Sequence, residues 1–391
     1  MSNADSNEKK IPNVPNLRFP CFSELWRTFK LKNISLIYDG THQTPDYKKN
    51  GIKFVSVEDI NDLYGSKKYI SENAFKKEFK NKPVLNDVLM TRIGDIGTPA
   101  IVSCAEPLAY YVSLALIKPT NIDHLFLKYL IESRSFQHEL WKRTIHVAFP
   151  KKINKEEIGE CLCTIPEKDE QVKIGVLMSK IDERIETQNK IIEELKTSIK
   201  AILDDFFTNK SNSKVGNYIT EISLRNKSNV GYPVFSVSNK KGFIPQNEQF
   251  EDKVIASDDK SSYKIVSKNT FAYNPARINV GSIGLYEHDS PCIVSPMYNC
   301  FNVLEIEPTY LLMYFKSSFF INEMNKRLEG SVRMCLTMDG LKNLPIYIPS
   351  TDEMHKVISI YLSINRKLQN SMKLLDLYLK QKEYLLSNLF I

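Results

Sequence analysis

Residues 165–207 read IPEKDEQVKIGVLMSKIDERIETQNKIIEELKTSIKAILDDFF, and residues 348–391 read IPSTDEMHKVISIYLSINRKLQNSMKLLDLYLKQKEYLLSNLFI. The second stretch follows the first at an offset of 183 residues, ungapped, from Ile165-Pro166 against Ile348-Pro349 to Phe206-Phe207 against Leu389-Phe390. A helix does not run through an Ile-Pro pair, because the proline ring lacks an N–H and restricts the residue before it. Each pair therefore marks a helix start. Asp169 and Glu170 then put acid in the first turn, where the helix dipole favours it.

Both stretches carry apolar residues at heptad spacing. The first has one seam of Ile174, Ile181, Gln188, Leu195 and Ile202 and a second of Met178, Ile185, Ile192, Ile199 and Phe206. One polar residue in two such seams predicts a coiled-coil helix. The second stretch repeats the pattern with Val357, Ile364, Ser371, Tyr378 and Leu385 and with Tyr361, Leu368, Leu375, Lys382 and Leu389, weakened at Lys382. Gln188 and Ser371 share one repeat position, as a register-fixing polar layer or as tolerated polar residues. A helix of about 38 residues would be roughly 57 Å long. One with an exposed seam is not stable alone in water, so each helix should pair with the other. Parallel pairing would put both globular parts at one end of the rod, and antiparallel pairing, the arrangement adopted here, at opposite ends.

Upstream of each helix lies a strand-rich segment. Residues 51–57 and 231–237 read as strands, as do residues 87–90 and 269–273. The latter precede the turns Gly94-Asp95-Ile96-Gly97 and Gly281-Ser282-Ile283-Gly284, which match at an offset of 187. Ser135-Phe136 matches Ser318-Phe319 at 183, inside helices expected over His124–Lys142 and Tyr310–Arg327. The expected organisation is a tail at 1–16, a domain at 17–164, a helix at 165–207, a second domain at 208–347 and a helix at 348–391. The fold class is α+β: two α/β domains separated by two long helices in an antiparallel coiled coil, with a pseudo-twofold repeat.

Composition narrows the function. The hydrophobic content of 42% suits packed domains. No apolar run approaches the ~18 residues of a membrane span, and the polar start is not a secretory signal, so a cytoplasmic protein is expected. The seven cysteines show no zinc-ligand spacing and read as reduced thiols. A net charge of +7 permits a polyanionic partner without demanding one.

The tandem layout, the Ile-Pro-x-x-x-Glu helix openings, the segments 89–97 and 271–284, and the leader Leu17-Arg18-Phe19-Pro20 with Trp26 and Leu31 together resemble the DNA specificity subunit of type I restriction–modification systems. The resemblance covers about residues 17–391 and rests on the layout rather than on one motif. It implies two target recognition domains, each reading one half of a split sequence in double-stranded DNA. It implies helices that set the spacing and dock two modification (methyltransferase) subunits, with restriction (motor–nuclease) subunits joining them. The chain itself would be non-catalytic and without cofactor. S-adenosylmethionine, ATP and Mg would belong to the partners.

The residues offer matching chemistry. From Trp141 to Lys155 there are five basic residues and no acid, including Lys142, Arg143, Lys151 and Lys152. The corresponding stretch holds Lys326, Arg327 and Arg333. Both read as phosphate-facing loops, or else as solvated basic surface. His42, Gln43 and Thr44 form a polar turn able to meet base edges, and Tyr273, Asn274, Arg277 and Asn279 form a second candidate loop, with Arg92 as a counterpart of Arg277. The alternative is a coiled-coil adaptor that binds proteins. A self-sufficient enzyme is disfavoured. Asn274-Pro275-Ala276-Arg277 lacks the second proline and the aromatic of a base-flipping methyltransferase, and no P-loop is present. Pro45-Asp46 with Glu78-Phe79-Lys80 is too loose for a nuclease, and the histidines do not cluster as metal ligands.

Overall fold

Each Ile-Pro pair stands at the passage from a short strand to a long helix, as its backbone chemistry dictates. The strand Leu162–Ile165 gives way to the central helix Lys168–Phe207, and Pro345–Ile346 to the C-terminal helix Thr351–Asn388, of 40 and 38 residues. The computed structural model describes residues 13–208, 210–239, 241–246, 259–330 and 334–391. They form two compact units, one of residues up to Asn189 with Lys373–Ile391, the other of Lys190–Met372. The division falls within both helices, so each unit holds part of each.

The first unit contains an antiparallel sheet with strands in the order Ser35–Asp39, Leu114–Pro119, Val88–Ile93, Asp95–Ile101. A second sheet sets Ile52–Val55 between Tyr69–Ile70 and a parallel neighbour, Leu108–Tyr110. A ribbon pairs Arg27–Lys30 with Leu162–Ile165. The second unit repeats this plan. Its antiparallel sheet runs Ile219–Ile222, Asn299–Val303, Thr270–Tyr273, Ile283–Leu285. Its other sheet sets Val234–Ser238 beside the parallel strand Cys292–Val294, and its ribbon pairs Ser213–Lys214 with Pro345–Ile346.

The repeat is closer than the sequence alignment suggested, because its true register differs. Gly97 and Gly281 have φ values of 94° and 93°, the left-handed region that favours glycine. They are equivalent at an offset of 184. The 187 match fails because Gly284 pairs in the ladder with Ala272, the place that Ala100 takes opposite Leu89. The helices expected over His124–Lys142 and Tyr310–Arg327 are each two helices. Ser133 caps Arg134–Arg143 and Ser317 caps Ser318–Asn325, each accepting an N–H in the first turn and donating its hydroxyl to a carbonyl of the preceding helix. These caps also stand 184 apart, so Ser318 is not the partner of Ser135.

In the first unit the helices run antiparallel, since Arg184 lies over the Tyr378 ring while the earlier Asp182 pairs with the later Lys382. Ile174, Met178 and Ile181 are buried with Leu385, Leu389 and Phe390, and Ile185 packs against them. Gln188 is buried, while Leu375 and Tyr378 are half-buried. Lys382 breaks the apolar seam because it meets carboxylates from two elements, 2.8 Å from Glu132 and 2.8 Å from Asp182. Lys128 pairs with the same two acids. Burial pushes the Lys382 ammonium down, but the two carboxylates outweigh it and hold it above its ordinary value.

In the second unit Ile192, Val357, Tyr361 and Leu368 are buried, and Leu195, Ile199, Ile364 and Ser371 are half-buried. At the end of the central helix the buried stripe moves from Ile202 and Phe206 to Leu203 and Phe207. A straight helix drifts against a strict heptad, and here the drift turns the stripe into the unit's core. The tail is anchored from Asn13, whose carbonyl accepts the Trp26 N–H at 3.0 Å; residues 1–12 lie outside the described residues. All seven cysteines are free thiols. Burial pushes Cys161 and Cys292 up to about 12 and Cys300 up to about 11.

Candidate nucleic-acid interface

In the first unit one candidate loop follows the strand Ser35–Asp39 and the other follows the helix Arg134–Arg143. The turn bearing His42, Gln43 and Thr44 is exposed. It begins at Gly40, where an added Cβ would lie 2.4 Å from the Tyr110 carbonyl oxygen, so only glycine fits. Thr41 then bridges Tyr111, with its N–H donating to Tyr110 O at 3.2 Å. The second loop is a hairpin closed by Ile145 and Lys152, with Ile145 N–H donating to Lys152 O at 2.8 Å. Lys151 and Lys152 are exposed on it and make no ion pair among the described residues.

Arg92 is not on this surface. It is 6% exposed, ion-paired with Asp39, and its Nε donates to Ile153 O at 3.0 Å. Burial lowers its pKa. It stitches the strand that feeds the Gly40 turn to the residue that follows the hairpin. Its role is to position both loops.

Lys142 and Arg143 lie below the hairpin, on the last turn of their helix. Both pair with Glu139, at 2.9 and 2.7 Å. The second unit repeats this clasp 184 residues on, with Lys326 and Arg327 paired to Glu323 at 2.5 and 2.7 Å. Hydrogen bonds from Lys326 and Arg327 hold the Glu323 carboxyl below its ordinary range. Burial pushes Glu139 up, but Lys142, the Leu162 N–H and Arg143 together bring it below. Half the charge of each basic pair is thus neutralised within the fold. Lys142 and Lys326 remain well exposed, at 50% and 66%.

The second unit's candidate residues separate. Tyr273 is wholly buried, donating its hydroxyl to Leu336 O at 3.3 Å and accepting from Asn299. Arg277 and Asn279 are exposed. Arg277 and Asn274 line a cleft of about 750 Å³ with Ser236, Ser238, Asn239 and Met297. Guanidinium, amide and hydroxyl groups on one concave surface suit the donor and acceptor edges of bases. Sequence reading missed Ser236, Ser238 and Asn239, which reach the cleft through strand pairing distant in sequence. Arg333 lies outside the described residues. Among the described residues no group of His, Cys, Asp or Glu could hold a metal ion, and no helix is long and apolar enough to cross a membrane.

A family model described as the type I restriction modification DNA specificity domain matches residues 23–197. Over those residues the chain is similar to this family. A type I restriction enzyme specificity subunit of Methanocaldococcus jannaschii is 26% identical over 201 residues, 47% of this chain, and the match spans only 46% of that relative's length. The S subunit of a type I restriction–modification system from M. genitalium shares the fold, with a TM-score of 0.63 and 15% identity, over 97% of this chain and 99% of that one. A chain from a structure addressing complex assembly and conformational transition of the type I R-M system is also similar, with a TM-score of 0.54 and 13% identity, over 92% and 96%. The specificity-domain match covers the whole sheet region of the first unit and enters the central helix.

Proposed function

We propose that this chain is the DNA-reading, non-catalytic subunit of a type I restriction–modification complex, each unit recognising one half of a bipartite site in double-stranded DNA. The observation that carries this reading is one strand topology built twice with different exposed chemistry. A polar turn and a basic hairpin mark the first unit, and an arginine–asparagine cleft marks the second. Phosphate contacts from Lys142, Lys151, Lys152 and Lys326 supply affinity, and the Gln43 and Arg277 regions supply base contacts. The paired helices space the two readers and dock two modification subunits, to which restriction subunits add. S-adenosylmethionine, ATP and Mg serve those partners, and this chain binds none of them.

The test is selection from a randomised duplex library by the chain with its modification subunits, followed by footprinting. The expected result is protection of two short half-sites separated by unread base pairs, with affinity falling steeply as salt rises. Binding without sequence preference would overturn the proposal. A protein-binding adaptor would show no salt-dependent DNA affinity at all.

A further inference from the structure

The hairpin of the first unit carries a feature that phosphate binding does not explain. Val147 and Phe149 are 97% and 104% exposed, as open as side chains in an extended peptide, and Trp141 beside them is 62% exposed. Such exposure wastes apolar area unless something covers it. The hairpin is nonetheless held firmly at its base. Ile145 pairs with Lys152, the Gly94 N–H donates to Lys151 O at 2.8 Å, and the Ile153 N–H donates to Arg92 O at 3.0 Å. At its shoulder, His146 Nε2 lies 2.9 Å from Trp141 O and the two rings are 5.0 Å apart. The tip is therefore two apolar side chains on a braced stem, flanked by Lys151 and Lys152 in a stretch from Trp141 to Lys155 with no acid.

We infer that Phe149, with Val147 beside it, is a wedge that enters DNA between stacked bases of the first unit's half-site. The inference rests on the DNA-reading proposal above and adds how one unit engages the duplex. The charge argues for DNA as the occupant, since Lys151 and Lys152, exposed just after the tip, complement the phosphates that border a base step. Apolar side chains that part base steps, with cations on the adjoining backbone, are a known way to kink a duplex. The wedge belongs to one unit only. The matching turn of the second, closed by Glu329 and Cys335, is one residue shorter and carries an acid at its base.

The experiment uses the full chain with its modification subunits on duplexes carrying 2-aminopurine at successive positions of the selected site. Wild type should raise fluorescence several-fold at one base step of one half-site, apart from the methylated adenine. Phe149→Ala should abolish that rise and weaken binding on the order of tenfold, the scale of one lost aromatic–base contact. The preference for both half-sites should persist. Phe149→Leu should keep most of the signal. Because the side chain is fully exposed, none of these changes should alter the melting temperature. An unchanged signal and affinity in Phe149→Ala would overturn the wedge while leaving the DNA-reading proposal intact. Loss of assembly with the modification subunits in the absence of DNA would overturn it in favour of a protein contact. A wild-type complex without sequence preference would overturn both.

Discussion

The strand that carries Arg92 in the first unit and the one that leads to Pro275 in the second do the same work on the backbone and opposite work with their side chains. Arg92 O accepts the Ile153 N–H at 3.0 Å, and Pro275 O accepts the Leu336 N–H at 3.0 Å. At that shared place one unit buries a guanidinium against Asp39. The other carries a proline and displays its arginine two residues on, at the exposed Arg277. The backbone ladder is common to both units because each must close the same sheet. Side chains at its edge are free to differ once they no longer fill the core. Charge read from one unit cannot be carried to the other by alignment.

That comparison can be pressed with substitutions. The largest loss should come from Phe207→Ala, which empties a wholly buried site between Tyr310 and Tyr314, with rings 5.4 and 5.6 Å away. A cost of about 3–5 kcal/mol is expected in denaturant unfolding. Its repeat partner, Phe390→Ala, should cost less, since that ring is 5% exposed. Equal losses would show the two helix ends to be packed alike. Next, Arg92→Ala should cost about 2–3 kcal/mol by leaving Asp39 facing a vacated site, discounted because that carboxylate is 24% exposed. Arg277→Ala should change stability by under about 0.5 kcal/mol. It should relax one half-site if the arginine reads a base, or weaken all sequences alike if it meets phosphate. Destabilisation by Arg277→Ala would break the contrast.

Gly97→Ala should cost about 2 kcal/mol and Gly281→Ala about 1. Both must adopt the left-handed region, which alone costs a β-carbon about 1–2 kcal/mol. Only at Gly97 would the new carbon also press on Gln137, 2.7 Å from its Nε2. Glu139→Gln and Glu323→Gln should cost about 1 kcal/mol each at neutral pH, because the basic partners are partly exposed. Both carboxyls sit below their ordinary value of 4.5 in the folded chain. Their contribution is therefore present above pH 4.5 and lost as pH falls through the folded value. The gap between wild type and either variant should close on acidification. A gap that persists at low pH would refute the charge origin.

Much of the architecture was legible because helices advertise themselves locally. The two heptad stretches, the Ile-Pro starts and most strands need only neighbours in sequence to be read. What escaped depended on distant partners. Lys382 looked like a defect in a seam until Glu132 and Asp182 met it. Ser133 and Ser317 interrupt helices because each hydroxyl bonds to the helix before it, which an apolar pattern alone does not reveal. The offsets of 183 from Ser135 onward and 187 at the glycine turns both miss the 184 that holds between, because the loops before Gly281 and after Ile145 each change the register by one residue. Of the candidate site, exposed turns such as His42–Thr44 were found by composition. Burial removed Arg92 and Tyr273, and no local signal marks that. Val147 and Phe149 were visible as apolar residues in a loop without periodicity.

The two-part make-up of the first unit has a consequence for how the chain is made. Ile174, Met178 and Ile181 are covered by Leu385, Leu389 and Phe390, and the Leu17 N–H donates to Asn388 O at 2.9 Å. The whole second unit, Lys190–Met372, lies between those partners in sequence. At about 5–20 residues per second, a ribosome takes roughly ten to forty seconds to cross it. During that interval the second unit can close on itself while the first waits with an apolar stripe bare. The nascent chain should therefore be most open to chaperones, and most prone to aggregate, in the portion synthesised first.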